Sequence, residues 1–262
     1  MASAPGWNVF FLVAASSFAA GSNVRASRLS TGTLRSVAGA SSDGAADMAA
    51  LAAFRDAQPQ SARAPGGCLE RWVGGGSARC DESWAGVECN STTGRVVFLG
   101  GGDELEGCGL AAAPESLCVL SELEGLYATA NRLRELPGCV ANLTHLTDLD
   151  VSKNELTVLP STLGGLTKLV YLSASDNGLT TMPSTSAFFE LDLLDISGNQ
   201  LVSLPELQAS KALRVLRAGH NKIENISATL ALPSATDVHL VNNRCVATRS
   251  PCCIFGVCLQ CH

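Results

Sequence analysis

The sequence predicts an α/β solenoid, in which short parallel strands stack into one curved sheet and each strand is followed by a return arm. Three observations predict it. Asparagine recurs at Asn131, Asn154, Asn177, Asn199, Asn221 and Asn243, at intervals of 23, 23, 22, 22 and 22 residues. Five residues before each stands Leu126, Leu149, Leu172, Leu194, Leu216 or Val238, and two residues after each stands Leu133, Leu156, Leu179, Leu201, Ile223 or Cys245. Four copies then close on Leu136-Pro137, Leu159-Pro160, Met182-Pro183 and Leu204-Pro205. That spacing fits neither a plain helix nor a plain strand. It suits a short strand, a turn at the Asn and an arm that also points its leucines inward, repeated so that neighbouring copies bury one core.

The best-formed copy, Leu146 to Pro160, reads LTDLDVSKNELTVLP. Its L-x-x-L-x-L-x-x-N-x-L frame resembles the leucine-rich-repeat signature, which implies a right-handed curved solenoid with a parallel β-sheet on the concave face. The recurrent Asn has a physical reason. Where the chain leaves the strand, backbone polar groups are buried between coils, and one side-chain amide supplies both a donor and an acceptor for them. The six Asn are therefore expected to form a structural ladder. Loss of Asn177, in a central coil, is expected to cost about 1–3 kcal/mol through the orphaned groups.

Composition bounds the function. The chain has 262 residues, enough for one extended domain with a substantial core. A formal charge of -6 with no basic cluster argues against a nucleic-acid partner. Eleven Cys lie mostly outside the repeats, toward the two ends, as expected of disulfide-stapled caps in an oxidising compartment.

Residues 1–21 read as a signal peptide. The apolar run Val9–Ala15 with Phe18, Ala19 and Ala20 ends in small residues, and cleavage after Gly21 places Ala19 at the third position back. Residues 22–42 form a Ser-, Ala- and Arg-rich spacer with Arg25, Arg28 and Arg35. Because that composition is also that of a transit segment, a two-part plastid presequence is the alternative localisation.

Residues 43–118 are expected to form an N-terminal cap with a first, degenerate repeat. Asp43 is placed to cap a helix running through Gln58, with Met48, Leu51 and Phe54 on one face and Pro59 beyond its end. Leu69, Trp72 and Cys80 follow, then Trp84-Ala85-Gly86-Val87-Glu88-Cys89, then Gly94-Arg95-Val96-Val97-Phe98-Leu99 as the first strand. The order of helix, W-x-G-V-x-C and G-R-V resembles the cap of plant-type leucine-rich-repeat ectodomains, the receptor-like and polygalacturonase-inhibitor-like family. This chain departs from the pattern by placing three residues between Cys80 and Trp84 and by adding Cys68. The resemblance implies that helix and tryptophans seal the open end of the core, and that Cys80 bridges Cys89 around Trp84. Zinc binding by these Cys is the competing reading. Cys68, Cys108, Cys118 and Cys139 allow three pairings. The Gly-rich stretch 100–107 stands where an ordinary copy has its strand end and Asn.

Residues 119–249 hold the six repeats. Their L-x-x-L-P arm differs from the L-x-G-x-I-P arm of plant-type ectodomains and resembles the short repeats of many cytosolic and adhesive proteins. Strand residues that do not point inward define the concave face. One column is Tyr127, Asp150, Ser173, Asp195, Arg217 and His239, and the column before it is Gly125, Asp148, Tyr171, Leu193, Val215 and Asp237. A third is Thr129, Ser152, Ser175, Ser197, Gly219 and Val241. The middle coils are acidic and the last mildly basic. Tyr127, Asp150, Tyr171, Ser173, Asp195, Arg217 and His239 are the candidate ligand contacts, because aromatics and Arg are favoured binding anchors. The same residues also suit an ordinary solvated face. Asn90, Asn142 and Asn225 head glycosylation sequons, and none lies in these columns.

Residues 250–262 form a Cys-rich tail containing Cys252, Cys253, Cys258, Cys261 and His262. A disulfide cap, a metal site and acylation are the three readings. No long apolar stretch follows, so no transmembrane helix or glycolipid-anchor signal is expected. His145, His220, His239 and His262 are scattered and no nucleophile motif, phosphate loop or carboxylate pair stands out, so no catalytic residue, cofactor or metal is assigned. The expected function is a secreted or cell-surface module that binds a protein or glycan. An intracellular or plastid scaffold, or a thiol- or metal-dependent protein acting through its tail, is the alternative.

Overall fold

The computed structural model describes residues 42–70, 72, 84–224 and 237–244, with the backbone of 253–254 and 257–258. All belong to the second of two compact units, Ser36–His262. The expected signal peptide, the spacer through residue 41, Cys80, Asn225, Cys245 and most of the Cys-rich tail lie outside the described residues.

The repeats build a parallel sheet in register. Strands β1 (Val87–Cys89), β2 (Val96–Leu99), β3 (Gly125–Tyr127), β4 (Asp148–Asp150), β5 (Tyr171–Ser173), β6 (Leu193–Asp195), β7 (Val215–Arg217) and β8 (Asp237–His239) lie side by side in chain order. β1 pairs antiparallel with β2, and every later pair is parallel. Leu99, Leu126, Leu149, Leu172, Leu194, Leu216 and Val238 share one register. The side chains of Leu149, Leu172, Leu194 and Leu216 are fully buried, as a stacked apolar core requires. On the opposite side, Pro114, Pro137 and Pro160 each precede a 3₁₀ turn, at Glu115–Val119, Gly138–Asn142 and Ser161–Gly165. The fixed φ of Pro suits that extended entry, and each turn drops one apolar residue, Leu117, Val140 or Leu163, into the core.

The Asn ladder joins the coils. The Leu156 N–H donates to Asn177 Oδ1 at 2.9 Å. The Asn177 amide donates to the carbonyls of Val151, Ala174 and Ser175 at 3.0, 3.2 and 3.1 Å. Each Asn thus braces its own turn and reaches back to the preceding coil. Asn131 reaches the degenerate coil in the same way, accepting from Leu110 N–H and donating to the Leu105 carbonyl at 2.9 and 2.7 Å.

The N-terminal end is covered by α1 (Ser42–Asp56) and α2 (Gln60–Arg63). Met48, Leu51 and Phe54 of α1 are buried. Trp72 is fully buried between Phe54 and Trp84, with ring centroids 6.0 and 5.3 Å away, and its Nε1 donates to the Ala85 carbonyl at 3.0 Å. The helix begins at Ser42, so Asp43 lies inside its first turn rather than capping it from outside. It ends before Gln58, which precedes Pro59 and is thereby disfavoured from helical φ and ψ. Gln58 Nε2 donates to the carbonyls of Phe54 and Ala112 at 2.9 Å each, and Gln58 Oε1 accepts from Ala111 N–H at 3.1 Å. The strand expected to be first, within Gly94–Leu99, is the second, because Val87–Cys89 of the W-x-G-V-x-C segment pairs with it.

Two bridges reinforce this end. Cys68 bridges Cys108 and Cys118 bridges Cys139, which selects one of the three pairings. They close loops of 40 and 21 residues, each restricting the unfolded chain by about 3–4 kcal/mol. Cys89 is disulfide-bonded. Its expected partner, Cys80, lies outside the described residues.

Asp47 fastens α1 to β2. Its side chain is 0 % exposed, and Oδ2 accepts from Arg95 Nε and Val96 N–H, each at 2.9 Å. Asp47→Ala takes the acceptor from the half-buried Arg95 Nε and from the buried Val96 amide and is expected to cost about 1–3 kcal/mol in urea unfolding. Asp47→Asn, which keeps an acceptor oxygen, is expected to cost less.

Candidate ligand-binding face

The sheet register converts the sequence columns into physical rows. Tyr127, Asp150, Ser173, Asp195, Arg217 and His239 are successive Cα partners across β3 to β8, and so are Gly125, Asp148, Tyr171, Leu193, Val215 and Asp237. Such a row places directly opposed side chains roughly 5 Å apart, so neighbours in it interact.

The first half of the face is a tyrosine–carboxylate arrangement centred on β4. Tyr127 donates its hydroxyl to Asp148. From the other side, Tyr171 donates to Asp150 Oδ2 at 3.2 Å. Thr147 Oγ1 donates to Asp148 Oδ2 at 2.6 Å, and the Ser152 N–H and hydroxyl donate to Asp150 Oδ1 at 2.9 and 2.6 Å. Burial pushes both phenols well above their ordinary value, and nearby carboxylates add to the shift: Asp148, Asp150 and Glu88 for Tyr127, Asp150 for Tyr171. Burial likewise raises the Asp148 carboxyl, against the hydrogen bonds from Thr147 and Tyr127.

Ser173, expected among the ligand contacts, is only 3 % exposed. It sits in the row between Asp150 and Asp195, two residues along its strand from Tyr171. In the second half, Asp195 Oδ1 accepts from the Ser197 N–H and hydroxyl at 3.0 and 2.6 Å, and Arg217 Nη1 lies 3.8 Å from Asp195 Oδ2. His239 Nε2 lies 2.5 Å from Asp237 Oδ1.

Two features of this face escape the sequence pattern. Phe98 pairs with Gly125, and on its other side with Glu88 of β1, and so extends the row that continues through Asp148 and Tyr171. A Cβ on Gly125 would lie 2.4 Å from the Phe98 ring and 2.9 Å from the Tyr127 ring, so the missing side chain is what admits both. The signal was the G-R-V-V-F-L strand, had Leu99 been aligned with Leu126. The second feature is the residue before each Asn. Ala130, Lys153, Asp176, His220 and Asn242 have φ of 56, 53, 52, 54 and 57°, and Gly198 has 65°. This left-handed turn repeats at the rim of every coil. The amides of Ala130, Lys153, Asp176, Gly198 and His220 donate to the next coil at 2.8 to 3.0 Å, which holds the strained turn in place.

Among the sequons, Asn142 is exposed at the end of its 3₁₀ turn. Asn90 Oδ1 accepts from the amides of Thr92 and Thr93 at 2.8 and 3.1 Å. Among the described residues, no group of three or more His, Cys, Asp or Glu is placed to hold a metal ion, and no helix is long and apolar enough to cross a membrane.

A leucine rich repeat family model matches residues 121–179. The fold is similar to that of the ectodomain of the Arabidopsis receptor kinase HAESA, solved in complex with an N-terminal extended IDA peptide hormone. The TM-score is 0.62 at 26% identity, over 75% of this chain and 33% of that one. Similarity also extends to the BIR3–SERK2 complex of Arabidopsis thaliana, with TM-score 0.49 and 28% identity over 59% of this chain and 82% of that one. An internalin of Listeria monocytogenes gives TM-score 0.48 and 23% identity over 52% and 39%. The chain thus spans well under half the length of the internalin and of the HAESA ectodomain. No curated protein sequence matches the chain.

Tyr127 and Tyr171 are the only two tyrosines of the sequence, so tyrosinate absorbance reports on this face alone. The ordinary phenol pKa is 10.0, and both folded phenols stand above it. Above that value the unfolded chain loses two protons that the folded chain keeps. The stability linked to the phenols is therefore complete below pH 10.0 and falls as pH rises toward the folded values. The expected titration shows no tyrosinate signal at pH 10.0 and a late rise coincident with unfolding. Tyr127→Phe should shallow the alkaline loss of stability.

Proposed function

We propose, from the premise that the chain is a leucine-rich-repeat protein of the plant-type ectodomain kind, that it is an extracellular binding module whose concave face recognises a protein, peptide or glycan. The observation that carries this reading is the row of half-buried tyrosines, carboxylates, Arg and His on one rigid sheet face. Amphipathic aromatics fixed by hydrogen bonds give contact area at small entropic cost, and Arg adds directional donors. A solenoid presents such rows over several coils at once.

Further observations agree with an extracellular setting. Disulfides close the cap, as they do in oxidising compartments. The HAESA ectodomain that the fold resembles was solved with a peptide hormone bound. The groups on the face suit recognition, because hydroxyls donating to carboxylates fix the side chains that a ligand would meet.

The intact mass of the protein from its native cells, before and after thiol alkylation and glycan removal, tests the location. The expected result is a chain starting near Ser22, with bridged cysteines and a glycan on Asn142. Free thiols, no glycan and a start near Asp43 would point instead to an imported organelle protein. Capture of ligands from the extracellular fraction of those cells tests the face. Tyr127→Ala or Arg217→Ala should weaken capture about tenfold or more, while Ala in place of exposed Phe189, on the loop between β5 and β6, should not.

A further inference from the structure

The face carries different charge chemistry at its two ends. On β6 and β8 the carboxylates meet basic side chains of the chain itself: Asp195 faces Arg217 at 3.8 Å and Asp237 lies 2.5 Å from His239. On β4 the hydrogen bonds to Asp148 and Asp150 come from the hydroxyls of Thr147, Tyr127, Ser152 and Tyr171 and from the Ser152 amide. These donors are neutral. Two adjacent carboxylates therefore sit on one strand, oriented by hydroxyls, with Glu88 close enough to act on Tyr127 as well. A ring stands on each side of them, Tyr127 on β3 and Tyr171 on β5. Two strand spacings and a two-residue offset along the strands separate those positions, roughly 12 Å between Cα atoms. A planar cation brought to the β4 carboxylates would meet an aromatic ring on either side. Phe98, beside Tyr127 over Gly125, adds an apolar seat next to that position.

We propose that the first half of this face, β2 to β5, docks an extended peptide by lodging an Arg or Lys side chain between Tyr127 and Tyr171, against Asp148 and Asp150. The inference rests on the reading of the concave face as a binding surface and names its ligand class. A guanidinium suits this position best, because it stacks on aromatic faces and donates two parallel hydrogen bonds to a carboxylate. The apolar residue beside it in the peptide rests on Phe98. The net charge of -6 steers a cationic segment toward the protein and disfavours an acidic one. The elevated Asp148 carboxyl agrees with this, since a cation delivered to the face offsets the burial that raises it.

The test is selection of random dodecapeptides displayed on phage against the full-length protein, followed by anisotropy measurements with a labelled winner. The enriched peptides should carry Arg or Lys next to an apolar residue. Binding should weaken about tenfold or more with Asp148→Asn plus Asp150→Asn, and equally when the peptide Arg becomes Gln. It should also decline as salt rises. Tyr171→Phe keeps the ring and should retain most binding, whereas Tyr171→Leu should lose it. Glu190→Gln, the same chemical change at an exposed site off the face, should have no effect. Unchanged thermal unfolding of each variant separates lost docking from lost fold. A neutral or acidic consensus, or binding that survives Asp148→Asn plus Asp150→Asn, overturns the proposal while leaving the protein a binding module. Failure to enrich any peptide overturns it too, and the capture experiment then decides the module reading alone.

Discussion

Each coil hands one side-chain amide back to the coil before it, and the rest of the structure depends on that bond. A strand of three residues cannot satisfy its own turn, and the turn lies against neighbouring coils where water does not reach. Asn154 answers this with Oδ1 on the Leu133 N–H and Nδ2 on the carbonyls of Ala128, Val151 and Ser152. Orphaned buried groups cost about 1–3 kcal/mol each, so every Asn is worth more than its own contacts suggest. The backward direction of the bond explains why the first coil does without an Asn. It has no earlier coil to brace, and its Leu105 and Leu110 backbone groups are met by Asn131.

The same bond sets what the concave face can be. With the turns held, the strands keep one register from β3 to β8, and side chains one coil apart are forced into rows. Rows make Tyr127 and Tyr171 neighbours of the β4 carboxylates although 44 residues separate the two tyrosines. Backbone order thereby becomes surface chemistry. The left-handed residue before each Asn carries the strain of the turn, repaid by an amide bond to the following coil. At the open end, the ion pair of buried Asp47 with Arg95 and the Trp72 stack do for the first coil what a neighbouring coil does for the others.

Much of this was legible in the sequence because its cause is periodic. The Asn frame marks six strands, and their alternation assigns inward leucines and outward rows. What was hidden is aperiodic. Gly100 and Gly102 adopt φ of 87 and 73°, and a Cβ on Gly100 would strike the Tyr127 carbonyl, so the degenerate coil is compressed rather than patterned. That compression concealed Phe98 from the frame. Ser173 alternates outward as expected, yet the larger Tyr171 ring next to it takes the surface, and alternation carries no information about that. Disulfide pairing depends on which loops meet, and no spacing reveals it. The side-chain partners of Gln58 were hidden for the same reason: Ala111 and Ala112 lie 53 and 54 residues away.

The Asn ladder, coil by coil, holds the solenoid. Hydrogen exchange of the full chain with Asn177→Ala tests it most directly. Faster exchange is expected at the Leu156 amide, which Asn177 accepts, and at its neighbours in that turn, with Leu110 in the first coil still protected by Asn131. Unchanged protection at Leu156 would contradict it, because the turn would then be held by something other than the amide.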